Sequence, residues 1–153
     1  MIYLMQHGEA LSKEEDPDRP LTERGDREAR KLARLLRVAG VKVDDIFDSG
    51  KLRARQTAEA LAHELAPERG PETMAGIGAS DAVADIVDNA ALWTRNVVLV
   101  SHMPFVARFV GALVGRDEEP SPVAFVPGTM VALEYQDANW RIAWMIRPEL
   151  LGE

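Results

Sequence analysis

The sequence contains no cysteine, which excludes disulfides, thiolate nucleophiles and zinc sites built on cysteine. Histidine is nearly as scarce. His7, His63 and His102 are the only three in 153 residues, and they lie too far apart for a local metal-binding motif. No metal and no cofactor is therefore expected. Basic residues are outnumbered, 18 against 25 acidic, and the net charge of -7 argues against a general binder of nucleic acid or of anionic membrane. It leaves room for a local basic pocket. No stretch approaches the ~20 apolar residues of a membrane span, and the first residues lack the basic region of a secretory leader. A cytoplasmic location is the default expectation. What is present is ordinary: 46% hydrophobic and 28% charged residues, enough for one domain over residues 1–153 with a sizeable core.

The chemistry begins at the N-terminus. Ile2 to Met5 is a short apolar run, read as a buried strand, broken at Gln6-His7-Gly8. Gly8 permits a tight turn and a close approach of backbone to a ligand. Ligands of open α/β sheets sit at the carboxyl ends of strands, so His7 stands at the mouth of a crevice if this strand is central. The polar loop that follows, Leu11 to Pro20, carries one arginine, Arg19, placed where a loop would meet substrate. Solvation alone would also account for it.

Thr22 reads as a helix cap with Glu23 in the first turn. Ala29, Leu32, Ala33 and Leu36 form the apolar face, and Gly40 the stop. Asp45 to Asp48 reads as a strand. Ser49 reads as the cap of a second helix with Ala58, Leu61, Ala62 and Leu65 inward and Pro67 beyond its end. Arg55 lies four residues before Glu59, so a surface ion pair suffices for it. Arg53 faces Thr57 at that spacing and is freer to serve an anion. His63, between Ala62 and Glu64, reads as a surface or boundary residue. Residues 67–79 read as a loop, and Ser80 or Asp81 as the cap of a helix to about Ala90. Asn96 to Val100 is the strongest strand, apolar on both faces, and ends in Ser101-His102-Met103-Pro104 before a helix with Phe105, Val106, Phe109, Val110 and Leu113 inward. An irregular excursion from Arg116 to Pro127 precedes a hairpin of Thr129–Tyr135 and Trp140–Ile146 about Asp137-Ala138-Asn139. Trp140 and Trp144, four apart, are expected on one face of their strand.

Two buried strands thus end in histidines, and a helix start carries Arg53. If the strands are parallel and central, two imidazoles, a guanidinium and backbone amides converge on one crevice, a set suited to a phosphoryl group. One histidine can act as nucleophile. The other can donate to oxygens where charge develops.

These segments resemble a known family. Gln6-His7-Gly8-Glu9-Ala10 is similar to the Arg-His-Gly motif of the histidine phosphatase superfamily, the phosphoglycerate mutase-like fold. Arg19-Pro-Leu-Thr-Glu-Arg-Gly25 resembles its Pro-Leu-Thr-x-x-Gly segment. Ser49-Gly-Lys-Leu-Arg-Ala-Arg-Gln-Thr-Ala58 resembles Ser-Pro-x-x-Arg-Ala-x-Gln-Thr-Ala, and Val100-Ser-His-Met-Pro104 its second-histidine segment. Length and the closing Trp140, Trp144 and Pro148 look most like the SixA-type phosphohistidine phosphatases. The resemblance implies a three-layer α/β/α sandwich around a mostly parallel sheet. It implies a metal-independent phosphatase with His7 as the phosphorylated nucleophile, Arg53 and His102 in the catalytic pocket, and Gln6, Gly8, Arg19 and Met103 against the substrate. The implied substrate is a phosphorylated protein, such as a histidine phosphotransfer domain, with a small phosphate ester or a phosphoserine-type substrate as the alternative. The sequence departs from the family twice: Gln6 replaces the usual arginine and Gly50 the usual proline. The first loses a charge from the pocket and motivates a third reading, a binder of phosphorylated ligands without turnover. No carboxylate stands out as general acid. Glu9, Glu72 and Asp81 are the available ones, and this lack favours cleavage of P–N over P–O bonds.

Overall fold

The computed structural model describes residues 1–115 and 117–152. A six-stranded sheet runs in the order β3-β2-β4-β1-β5-β6. Its strands are β1 (Ile2–Gln6), β2 (Asp45–Asp48), β3 (Glu72–Thr73), β4 (Val97–Ser101), β5 (Met130–Gln136) and β6 (Asn139–Ile146). The first four are mutually parallel, whereas β5 and β6 add antiparallel neighbours beyond β1. β1 and β4 are adjacent and buried along their whole length, as unbroken apolar runs require in a sheet covered on both faces.

The alternation of the strands separates two cores. Tyr3, Met5, Val98, Val100 and Ile46 face α1 (Glu23–Val38) and α2 (Leu52–Leu65), packing on Leu32, Leu36, Ala58 and Leu61. Ile2, Leu4, Val97 and Leu99 face the other way, toward α4 (Phe105–Val110) and the short α3 (Ala84–Ala90), packing on Phe105, Val106, Phe109 and Val83. This is the expected three-layer α/β/α sandwich with a mostly parallel sheet. Thr22 caps α1 by accepting the Gly25 N–H.

Several local expectations need correction. α2 begins at Leu52 with Lys51 in the cap position and no side-chain cap. The reason is the turn at Gly50, whose φ is +93° and whose N–H is taken by Asp48 Oδ1 at 2.8 Å. Arg55 and Glu59 form no ion pair among the described residues. Residues 67–79 hold the two-residue strand β3, and α3 starts at Ala84, later than a cap at Ser80 or Asp81 implies. α4 continues from Gly111 to Gly115 as a π-helical turn. Arg116, first residue of the expected excursion, lies outside the described residues.

Trp140 and Trp144 do not share a face. The β5–β6 register passes from Ala132↔Trp144 to Leu133↔Ile142, leaving Ala143 as an extra residue in β6. A bulge of this kind resets which side the following residues face. Trp140 therefore packs with the α4 core and Trp144 with the α1 core, where its ring lies 5.7 Å from that of Tyr3.

Candidate active site

β1 and β4 are paired so that Gln6 stands opposite Ser101, and each is followed by its histidine. The His7 N–H donates to Ser101 O at 2.9 Å. The two imidazoles are consequently neighbours, with ring centroids 4.9 Å apart and planes at 55°. Both are buried, His7 at 7% and His102 at 3% exposure.

His7 is held in one tautomer. Its Nδ1 lies 2.7 Å from Gly8 O, an acceptor only, so Nδ1 carries the proton and Nε2 keeps its lone pair. Arg53 Nε donates to that Nε2 at 3.3 Å, consistent with the same tautomer. Burial presses the His7 pKa down to about 4, with Arg53 and Arg19 adding to the effect against the opposing Gly8 bond. His102 is pressed to about 3 by burial, then by His7, Arg53, Lys51 and Arg19. At neutral pH both rings are uncharged. Burial and Arg19 also lower the Arg53 pKa. The charges acting on both imidazoles are thus cationic, a field that an incoming anion relieves.

The supports of these groups come from other motifs. Thr57, fully buried, donates Oγ1–H to Arg53 O at 2.7 Å and accepts the Gly8 N–H at 3.0 Å. Gln56 Oε1 accepts the Leu21 N–H at 2.8 Å, tying the Pro20-Leu21-Thr22 segment to α2. Gly25 lies so close to the backbone after His7 that a Cβ there would come within 2.2 Å of Glu9 O. A cleft of about 420 Å³ is bordered by Lys13, Asp18, Arg19, Gly50, Lys51 and Arg53. Two larger clefts, of about 590 and 630 Å³, border neither Arg19 nor Arg53, so size does not mark the chemistry.

The sequence profile of the histidine phosphatase superfamily (branch 1) matches residues 2–77. An uncharacterized protein of Picosynechococcus is 32% identical over 120 residues, covering 73% of this chain and 72% of its own. The chain belongs to the histidine phosphatase superfamily. The phosphohistidine phosphatase SixA of Escherichia coli is 27% identical over 157 aligned positions, covering 96% of this chain and 93% of its own. A solved structure of the protein histidine phosphatase SixA complexed with tungstate superposes with a TM-score of 0.85 at 26% identity, over 98% of both chains. The alpha-ribazole phosphatase of Shigella flexneri shares the fold, with a TM-score of 0.78 at 15% identity over 96% of each chain.

Of the residues expected to form the site, the structure brings His7, Arg53 and His102 together. Gly8 abuts α1, with Gly25 O 3.1 Å from where its Cβ would be. Arg19 sits at φ +48° with Nε tied to Leu11 O at 2.9 Å, and its charge reaches both imidazoles. Gln6 is buried, and its Oε1 has no partner. Met103 is 44% exposed in the turn after β4. His63 lies on the surface, as expected. The available carboxylates are otherwise engaged or distant: Glu9 accepts from Thr22 Oγ1 at 2.8 Å, Asp81 from Gly78 N–H at 2.7 Å, and Glu72 is exposed on the short edge strand β3. None is within ion-pair distance of either imidazole among the described residues.

Sequence reasoning missed Ser49 as a site residue. Read as a cap, it instead places Oγ 2.5 Å from His102 Nε2. Thr57 and Gln56 were also missed in this role. Their signal was the Gln-Thr-Ala run, quoted for its likeness but with no task attached.

Proposed function

We propose that this chain, as one domain, is a phosphohistidine phosphatase that works through a covalent intermediate at His7. The observation that carries the reading is the His7 ring: Nδ1 committed to Gly8 O, Nε2 unprotonated beside Arg53, and the neutral His102 4.9 Å away. Nε2 attacks phosphorus and the substrate P–N bond breaks. A phosphohistidine protonated on its second ring nitrogen releases a neutral imidazole, whose conjugate acid has a pKa of roughly 6.5, so no general acid is needed. Water then attacks the phosphorylated His7, releasing inorganic phosphate and returning Nε2 its lone pair. Arg53, Arg19 and His102 counter the charge on the phosphoryl oxygens, while Gln6, Gly8 and Met103 line the substrate side.

The lack of a carboxylate beside the imidazoles among the described residues favours this substrate over an alkyl phosphate, whose alkoxide must be protonated as it leaves. The partner is then a phosphorylated signalling protein of the cytoplasm, a histidine phosphotransfer domain being one with the right chemistry. The test compares a phosphohistidine protein, phosphoserine and an aryl phosphate, with an alkaline denaturing quench to trap the phosphorylated enzyme. Phosphohistidine should turn over much faster than phosphoserine, and label should appear on His7. Comparable rates on phosphoserine would point to an acid not among the groups described. Binding of phosphate without release from any substrate would make the chain a binder. A His7→Ala variant retaining activity within ~10-fold, a barrier change of only about 1.4 kcal/mol, would rule out the covalent route.

A further inference from the structure

His102 presents a puzzle that His7 does not. Its Nε2 faces the Ser49 hydroxyl at 2.5 Å, but its Nδ1 is buried with no partner at all. Two tautomers are open to it. If Nε2 carries the proton, it donates to Ser49 and Nδ1 is a bare, unsatisfied acceptor. An anionic oxygen cannot satisfy an acceptor. If Ser49 donates to Nε2, the ring proton sits on Nδ1 and forms an unsatisfied donor, which a phosphoryl oxygen can satisfy. The hydroxyl is compatible with the second arrangement, its oxygen also facing the Lys51 N–H at 3.4 Å. One hydroxyl can accept there while donating to the ring.

The position of Ser49 is built, not incidental. β2 pairs with β4 so that Asp48 lies opposite Val100, which brings the residue after Asp48 to the strand end that carries His102. The fully buried end of the strand is then locked: Asp48 Oδ1 accepts from Gly50 N–H at 2.8 Å and from Thr73 Oγ1 at 3.0 Å. A Cβ on Gly50 would lie 3.2 Å from Thr73 Cγ2, so the turn has little room to move.

We propose that Ser49 is the positioning residue that sets the tautomer of His102, donating to Nε2 so that Nδ1–H is the ring's donor to a phosphoryl oxygen. The proposal rests on the functional reading above. It gives the two imidazoles the same tautomer by opposite means: a carbonyl holds the proton on Nδ1 of His7, and a hydroxyl excludes it from Nε2 of His102. One ring then offers a lone pair to phosphorus and the other a proton to oxygen. The charged and titratable groups around His102 are His7 from the end of β1, Lys51 and Arg53 from the start of α2, and Arg19 from the loop before α1. Among these only Nε2 of His7 is an acceptor while the rings are neutral, and it is taken by Arg53 Nε, so Nδ1 of His102 makes no hydrogen bond.

Nitrogen-15 NMR of histidine-labelled protein at pH 7 tests this without reference to turnover. Wild type should show His102 as the Nδ1–H tautomer. Ser49→Ala should shift it to a mixture or to Nε2–H, and Ser49→Thr should restore it. Vanadate inhibition should weaken about tenfold in Ser49→Ala and recover in Ser49→Thr, with unchanged thermal unfolding showing that the fold is intact. An Nε2–H tautomer in the wild type, or a Ser49→Ala spectrum identical to it, would overturn the proposal even if phosphohistidine is hydrolysed. Conversely, absence of phosphohistidine turnover with the tautomer and vanadate results as stated would overturn only the substrate.

Discussion

Replacing Gln6 with arginine puts two opposing effects in one variant. Gln6 is 7% exposed, and its Oε1 has no partner. An orphaned acceptor of this kind costs about 1–3 kcal/mol, a cost that arginine removes. Arginine also brings a cation into a pocket where Arg53 is already pushed toward its neutral form by burial and by Arg19. An uncompensated buried charge costs about 3–5 kcal/mol. The net effect without ligand is destabilisation on the order of 2 kcal/mol, or a fall in Tm of about 4–8 °C at this chain length. With an oxyanion present the balance reverses. A charge-assisted bond exceeds a neutral one by about 1–1.5 kcal/mol, which is roughly 5- to 13-fold in Kd. Thermal unfolding with and without vanadate, together with a calorimetric Kd, measures both halves. Gln6→Arg should melt earlier than wild type alone and gain more from vanadate. A variant that melts no earlier and binds vanadate no more tightly would refute the charge reasoning and show a pocket rebuilt around the amide.

Three further outcomes follow from the supports of the site. Thr57→Val keeps the shape but leaves the Gly8 N–H without its partner, so stability should fall by about 1–3 kcal/mol by urea unfolding, and kcat should fall as Arg53 loses its anchor. Gly25→Ala forces a Cβ against Glu9 O, at 2.2 Å in the unrelaxed geometry, and should cost about 1–3 kcal/mol or more, read from the same unfolding midpoint. Acid should destabilise the protein through its two buried imidazoles. Their folded pKa values lie below the ordinary ~6.5, so the unfolded chain takes up protons first as pH falls. That stability is fully present above about pH 6.5. It is lost progressively toward about pH 4 for His7 and about pH 3 for His102, at up to about 1.4 kcal/mol per pH unit for each ring. His102→Gln should flatten the slope of stability against pH in that window; an unchanged slope would show that the rings do not titrate this way.

The parts of the molecule legible in the sequence are those where one physical rule acts alone. β1 and β4 are uninterrupted apolar runs, so their burial and their carboxyl-end histidines followed directly, and β2 occupies the expected Asp45–Asp48. Thr22 caps where a threonine before a charged first turn should. What escaped depends on partners distant in sequence. Ser49 looks like a cap because serine before a helix usually is one. Only the pairing of β2 with β4 reveals that its hydroxyl meets a ring 53 residues away. Arg55 and Glu59 have helical pairing spacing, yet spacing permits a contact without requiring it. The two tryptophans were assigned one face because strand periodicity is two, and a bulge cancels that count without leaving a glycine to announce it.

That bulge bears on how the sheet avoids mispairing. β6 is the longer of the two edge strands, where a hairpin could slide against β5 or recruit another chain. With Ala143 inserted, Trp140 and Trp144 clamp the ribbon from opposite sides. A slip of one residue would have to withdraw both indoles and push each toward the wrong layer. This long edge strand thus carries its own alignment key, and deleting Ala143 should release it, producing slipped hairpins and self-association while leaving the pocket at the far end of the parallel strands intact.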